Sequence, residues 1–234
     1  MLQAYAVNVD GEISSEVWDV LLNSVSLDRQ MKINKYLFLK DKMASVFADR
    51  LLFHYMNVVN QCVDYHVQVD KFGKPFFQEK RGIHFNISHS GDWVVCAFGE
   101  AELGIDIQKV KDVDLGIAEH FFHSMEYETL RQCENPEDAK EHFCRLWTLK
   151  ESYLKWTGVG LSGLSTSLYF DITKKEIICY QDNKRVDGVF YTTKFMNDYF
   201  LTICHDQLEE FSPNRNLHIV SRQELIQETL QMVT

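Results

Sequence analysis

Apolar and polar residues alternate along this chain with two periods, and the switches between them divide it into strands and helices. Gln3 to Val9 reads as a first strand. From Glu12 to Phe72 there is neither Gly nor Pro, which favours long helices. Met43, Phe47 and Leu51 recur every four residues with Leu39 and Val46 beside them, predicting an amphipathic helix from about Asn34 to Val59. Val63 to Val69 alternates like a strand, and Phe72-Gly73-Lys74-Pro75 reads as a turn in which Pro75 biases Lys74 toward extended backbone. Ile83, Phe85 and Ile87 alternate with His84, Asn86 and Ser88, the period of a strand with one buried face. Ser88 to Asp92 is expected to interrupt it before a second strand at Trp93 to Phe98, the pair forming a hairpin. Leu103 to Ile107 is a further strand, containing Gly104 near its start. Helical spacing covers Ala118 to Gln132, Asp138 to Thr157 and a last helix from Gln223 to Met232. Strands are predicted at Leu168 to Ile172, Glu176 to Tyr180, Gly188 to Phe195 and Tyr199 to Cys204. Helix and strand mix in both halves, so the fold class is α+β. A boundary near Leu103 is expected to divide the chain into two similar-sized lobes, 1–103 and 104–234.

Composition narrows the functions available. The 234 residues are 45% hydrophobic and 25% charged, which excludes a disordered or fibrous chain. Lys plus Arg number 24 against 34 Asp plus Glu, a formal charge of −10 that argues against general binding to nucleic acid or to anionic membranes. Arg29, Lys32, Lys35, Lys40 and Lys42 nevertheless cluster in one segment with Asp41, as suits a small anionic ligand held at one place. The apolar runs are too short to cross a bilayer, and Asp10 and Glu12 follow the N-terminus where a signal peptide would be apolar. Six cysteines lie far apart without a C-x-x-C pair, the usage of reduced thiols, so the cytoplasm is the expected compartment.

Three segments carry residues suited to chemistry. On a strand, Asp106 and Gln108 project from one face and Ile105 and Ile107 from the other, so a carboxylate and an amide oxygen face one way as hard ligands for Mg²⁺. Those five residues alone are also an ordinary solvated strand end. In Trp147-Thr148-Leu149-Lys150-Glu151-Ser152-Tyr153-Leu154-Lys155, helical spacing puts Trp147, Glu151 and Lys155 on one face. Glu151 would then complete a metal site with Asp106 and Lys155 would neutralise an oxyanion, although Glu before Lys at this spacing is a common helix stabiliser. In Phe85-Asn86-Ile87-Ser88-His89-Ser90, neighbouring side chains point to opposite sides and no Gly-x-Ser-x-Gly is present, which disfavours a serine hydrolase and favours a phosphate contact through His89. His120 and His123 stand at helical spacing but lack further ligands for Zn²⁺.

Taken together, FNISHSGDW, GIDIQKV and WTLKESYLK resemble the motifs of the Sfp-type 4′-phosphopantetheinyl transferases, in that order and at compatible spacing. FGKPFF ahead of the first motif, SLDRQMKINKY, and FFHSMEYETL between the later motifs agree, so the resemblance runs from about Ser26 to Ser162. It implies two pseudo-symmetric α+β lobes with coenzyme A in the cleft between them. It also implies transfer of the phosphopantetheine arm to a serine of an apo acyl or peptidyl carrier protein, with release of adenosine 3′,5′-bisphosphate, as in holo-carrier-protein synthesis for secondary metabolism.

By the family pattern Asp106, Gln108 and Glu151 would hold Mg²⁺, with Glu151 also the general base and Lys155 beside the pyrophosphate. Lys150 would join Lys155 at the nucleotide, Ser88 and His89 at its phosphates, Lys74 and Pro75 beside the adenine, and Arg29 and Lys32 near the 3′-phosphate. Two positions depart from the pattern. Gln108 stands where the family often has a second acid, which would weaken the hold on Mg²⁺, and Ala44 stands where an arginine is usual. An acidic enzyme and an acidic carrier repel at long range, so docking is expected on an apolar patch, either around Phe121, Phe122 and Met125 or at Gly160 to Leu164. A two-lobed chain with an internal cleft needs no partner subunit, so a monomer is expected. A Mg²⁺-dependent phosphohydrolase and a non-catalytic coenzyme A binding module are the rival readings.

Overall fold

Ala4 to Val7 is buried on both faces, and this decides where the first strand goes. In the computed structural model, which describes residues 2–62, 65–78, 82–112, 115–174, 176–206 and 211–233, β1 (Gln3–Asn8) lies inside a four-stranded sheet. Its neighbours are β12 (Leu217–Ile219), which runs parallel to it, and β5 (Trp93–Gly99), which runs antiparallel; β4 (His84–Ser90) pairs with β5 at the edge. A second sheet holds β10 (Val189–Phe195), β11 (Tyr199–His205) and β6 (Leu103–Lys109), all antiparallel. Two small sheets, β2–β3 (Val67–Val69, Pro75–Phe77) and β7–β8–β9 (Leu168–Asp171, Ile178–Gln181, Lys184–Arg185), complete the strands.

The period-two alternation sorts side chains into three apolar layers. Tyr5, Val7, Val94, Cys96 and Phe98 face the helices α1 (Ser15–Asn23), α2 (Leu27–Asn34), α3 (Leu39–Phe53) and α8 (Arg222–Val233). Ala4, Ala6, Val95 and Ala97 face the other way, into a middle layer shared with Ile105, Ile107, Leu201 and Ile203 of the second sheet. Phe200 and Cys204 point beyond that sheet into a third layer with α6 (Pro136–Thr157) and α4 (Leu115–Phe121). Strands with an apolar layer on each face read as unbroken hydrophobic runs, as Trp93 to Phe98 does.

At their common edge the two sheets are joined by side chains. Asn86 Oδ1 accepts the backbone N–H of Ile105 at 3.0 Å, Ser88 Oγ that of Ile107 at 3.4 Å and Ser90 Oγ that of Lys109 at 3.0 Å. Alternate residues of β4 therefore meet alternate residues of β6 in a regular seam. On the far face of β6, Gly104 admits the backbone of α6 so closely that a Cβ there would sit 1.9 Å from the Ser152 carbonyl oxygen.

The structure refines the predicted elements where local signals compete. The expected helix over 34–59 is α3, starting only at Leu39, followed by a π-helical turn (His54–Val59), while α2 ends at Asn34. Residues 34–40 bury nothing, with Leu37 91% exposed, and a helix in water is held chiefly by its packed face. The strand expected from Val63 starts on residues outside those described and is seen only over β2. The strand of β4 runs on through Ser88 and His89, and only Gly91 and Asp92 form the turn. The helix expected over 118–132 divides at His123, which caps α5 (Ser124–Arg131) by accepting from Met125 N, while Glu126 reaches back to His123 N.

A division at Leu103 that assigns everything after it to the second lobe also needs correction. After α7 (Pro213–Asn216), β12 pairs with β1 and α8 packs its Leu225 into the first-half core, because β1 offers an open strand edge and α1 and α3 an apolar face.

Asn86→Ala leaves the buried Ile105 N–H without its acceptor. It should lower unfolding stability by about 1–3 kcal/mol, measured by urea denaturation.

Candidate active site at the seam between the sheets

Because β4 and β6 meet through side chains, the residues of the seam stand where both halves can reach a ligand. Asp106 lies in the middle of β6, 5% exposed, on the face that receives α6. Its Oδ1 accepts from Ser88 Oγ at 2.7 Å and from Lys155 Nζ at 2.6 Å. Lys155 also donates to Ser88 Oγ at 2.9 Å and to the Ile105 carbonyl at 3.2 Å. Asp106 Oδ2 is buried and has no hydrogen-bond partner among the described residues. One turn back on α6, Glu151 is half-buried; burial and then the negative charge of Asp106 raise its pKa above the usual carboxylate range, against the pull of Lys155. Two carboxylates that repel between β6 and α6, one with an orphaned oxygen, form a donor set that a divalent cation relieves. Gln108 follows Asp106 on the same face, its amide donating only a long 3.4 Å bond to the Lys109 carbonyl. The residues present fit Mg²⁺.

Glu151 and Lys155 open onto a cavity of about 260 Å³ whose opposite wall is Lys74, Pro75 and Ile87, with Gly158 and Gly160 at the end of α6. Pro75 and Ile87 also line a cavity of about 370 Å³ with Arg29 and Lys32, so the basic helix α2 borders the same cleft. Arg29 is anchored by a 3.2 Å bond to the Ser45 carbonyl, and its Nε is buried without a partner among the described residues. Lys74 ties the turn to the second half, donating to Glu102 at 2.6 Å and to the Trp156 carbonyl at 3.1 Å. His89 points away from the seam, with part of its ring exposed. The protein crowding that ring, and then the Lys155 charge, lower its pKa below the usual histidine range.

Several expected assignments change. Ser88, expected at the nucleotide phosphates, is buried in the seam, donating to Asp106 and accepting from Lys155 and Ile107. Lys150 does not face the cleft: it is fully buried on another side of α6, paired with Glu126 at 2.8 Å. Trp147 stacks on Phe143 and Phe122 in the second-half core. Phe122 is buried, whereas Phe121 and Met125 are 42% and 59% exposed. Ala44 is a core residue of α3. His123 is spent on capping, and the described residues offer no third ligand beside it and His120.

Sequence reasoning missed Asp92. In the β4–β5 turn it accepts from Lys40, from Lys109 at 3.3 Å and from the Tyr199 hydroxyl at 3.2 Å, bracing the hairpin against both halves. The available signal was Gly91, where a side chain would strike the Tyr199 hydroxyl.

The Lys40 bond, with Lys109 behind it, holds the Asp92 carboxyl below its ordinary pKa. A depressed folded-state pKa stabilises above the unfolded value and is lost as pH falls through the folded one. Asp92→Asn should therefore cost at most about 1 kcal/mol at neutral pH, a deficit that vanishes in acid when thermal unfolding is followed against pH.

Comparison with known proteins accords with this geometry. A family model described as 4′-phosphopantetheinyl transferase superfamily matches residues 102–204, and one described as 4′-phosphopantetheinyl transferase, N-terminal, matches residues 12–101. The chain is 33% identical over 227 residues to the 4′-phosphopantetheinyl transferase gsp of Aneurinibacillus migulanus, covering 95% of this chain and 92% of that protein. It is 32% identical over 163 residues to the 4′-phosphopantetheinyl transferase Sfp of Bacillus subtilis (strain 168), covering 69% of this chain and 72% of that one. Among solved structures, the Thermotoga maritima holo-[acyl-carrier-protein] synthase aligns with 44% of this chain and 61% of its own, at 19% identity and a TM-score of 0.36. No described helix is long and apolar enough to cross a membrane.

Proposed function

The chain belongs to the 4′-phosphopantetheinyl transferases, and on that premise we propose that the seam between its sheets is where the phosphopantetheine arm of coenzyme A passes to a serine of an apo acyl or peptidyl carrier protein. The observation that carries this reading is that Glu151 and Lys155 line one cavity walled by both halves, with Asp106 bonded to Lys155 and its charge acting on Glu151 just behind them. The two matched segments meet between residues 101 and 102, which supports taking the halves divided near Leu103 as the walls of one cleft.

The carrier serine attacks the β-phosphorus, the bond to the remaining phosphate breaks, and adenosine 3′,5′-bisphosphate leaves. The serine must lose its proton as the new bond forms. Glu151 is placed to accept it, and its raised pKa brings the carboxylate closer to the hydroxyl it must deprotonate. Lys155 keeps one positive charge beside Glu151 and Asp106, near the phosphates. Arg29 and Lys32 supply positive charge at the far end of the cleft for the 3′-phosphate, and Lys74 and Pro75 form the wall against the nucleotide. Asp106, Glu151 and Gln108 would hold Mg²⁺, which when bound neutralises charge on the diphosphate as a Lewis acid. The carrier itself is expected to dock on an apolar patch, either the exposed Phe121 and Met125 or the loop from Gly160 to Leu164, apolar contact offsetting repulsion between two acidic proteins. The reading further places the enzyme in the cytoplasm as a monomer.

Incubation with coenzyme A, Mg²⁺ and a panel of apo carriers, followed by intact mass of the carrier, tests the proposal. Transfer adds one phosphopantetheine group to the carrier. A phosphohydrolase would consume coenzyme A without carrier, and a binding module would leave both unchanged; either outcome overturns the proposal.

Asp106→Asn and Glu151→Gln should keep the fold, by circular dichroism, and lower the transfer rate by about 10²–10⁴-fold. Gln108→Glu adds a third carboxylate and should lower the Mg²⁺ concentration needed for half-maximal rate; an unmoved titration midpoint would remove Gln108 from the metal site.

A further inference from the structure

Beyond the cleft, the second half holds a charged pair that the chemistry above does not use. Lys150 is fully buried, its ammonium 2.8 Å from the Glu126 carboxylate, bonded to the Leu168 carbonyl and 5.2 Å from the centre of the Phe122 ring. Glu126, 3% exposed, is equally engaged, accepting the backbone N–H groups of His123 and Phe170, each at 2.9 Å. The first turn of α5, the strand β7 and the middle of α6 therefore converge on one ion pair. Lys150 immediately precedes Glu151.

Around the ion pair α6 is held by apolar contacts of Cys144, Leu146 and Leu149 in the third layer, with Thr148 bonded to Thr202; its other directional ties lie at its C-terminal end, where Lys155 bonds Ser88, Ile105 and Asp106. Apolar contact is non-directional and tolerates a small rotation of a helix about its axis. An ammonium with three fixed partners does not. A turn of about 20° carries a group about 5–6 Å from the axis through about 2 Å, and a misplacement of about 1 Å can cost about 10²-fold in rate. Buried ion pairs often contribute less net stability than apolar residues of the same volume, so a lysine kept fully dry points to orientation.

We propose that Lys150 and Glu126 are positioning residues whose ion pair fixes the rotation of α6, so that Glu151 and Lys155 face Asp106 on β6. The inference rests on the reading of Glu151 given above and adds to it a group that never touches the substrate.

The test compares the parent enzyme with Lys150→Met and with the double variant Lys150→Met/Glu126→Gln. Thermal unfolding, coenzyme A affinity by calorimetry, and kcat for transfer to an apo carrier are measured on each. Lys150→Met strands a buried carboxylate and should unfold at lower temperature. The double variant removes both charges and keeps a side-chain acceptor for His123 and Phe170, so its melting temperature should return close to the parent's. Its coenzyme A affinity should match the parent's, while its kcat stays lower by about 10²-fold. A double variant with the parent's kcat would overturn the proposal, as would a loss confined to coenzyme A affinity. Should the double variant melt well below the parent, Glu126→Asp replaces it, keeping both charges on a shorter arm. The same loss of kcat at unchanged affinity is then expected, and the parent's kcat would again overturn the proposal. The parent assay separates the two readings: no transfer by the parent removes the proposed function, whereas parent transfer with an unimpaired variant removes only the positioning role.

Discussion

Three side-chain acceptors on one strand, reaching three backbone N–H groups on another, join this molecule's two larger sheets at the point where its chemistry is proposed. A backbone ladder between β4 and β6 would set the strands about 4.8 Å apart and leave no gap between them. Asn86, Ser88 and Ser90 instead act as short arms, and the cleft opens beside them. The same arms tie the Asp106 carboxylate into the joint, because Ser88 serves as acceptor for β6 and donor to Asp106 at once. Structure and site are thus built from one set of bonds, and a change at Ser88 disturbs both.

This arrangement also explains what the segment Phe-Asn-Ile-Ser-His-Ser encodes. Its even positions, Asn86, Ser88 and Ser90, face the joint and are committed to the protein. Its odd positions divide between the core, at Phe85, the cleft, at Ile87, and the exposed surface, at His89. Period-two alternation made that division visible in advance for the apolar residues. It did not show that the polar face was buried, because polarity in a strand is the usual sign of water and only a second strand of unknown position could reverse it.

Elements whose burial is periodic and uninterrupted were legible: β1, β5, β6, β10, β11 and the long helix α6 fall within a residue or two of the predicted spans. The failures occur where a cap or an absence of packing overrides the pattern, as at His123 between α4 and α5, or at residues 34–40, which have no neighbour to bury against. In the candidate site, spacing on a strand and a helix anticipated that Asp106, Glu151 and Lys155 approach one another. It did not anticipate the place of Lys150, because on a helix adjacent residues point about 100° apart, and the face each one meets depends on tertiary neighbours such as Glu126, 24 positions earlier. Asp92 escaped notice for the same reason, its partners coming from residues 40, 109 and 199.

The strand β12 sits beside β1, yet more than 200 residues separate them in the chain. A ribosome releases β1 long before its parallel neighbour exists, so the growing chain must carry an unpaired strand edge through most of its synthesis. The first half's core is closed only when α8 arrives, and a fragment ending after α6 would hold every residue of the proposed chemistry on an unfinished scaffold. The first sheet and its core therefore stay unfinished until β12 and α8 have been made.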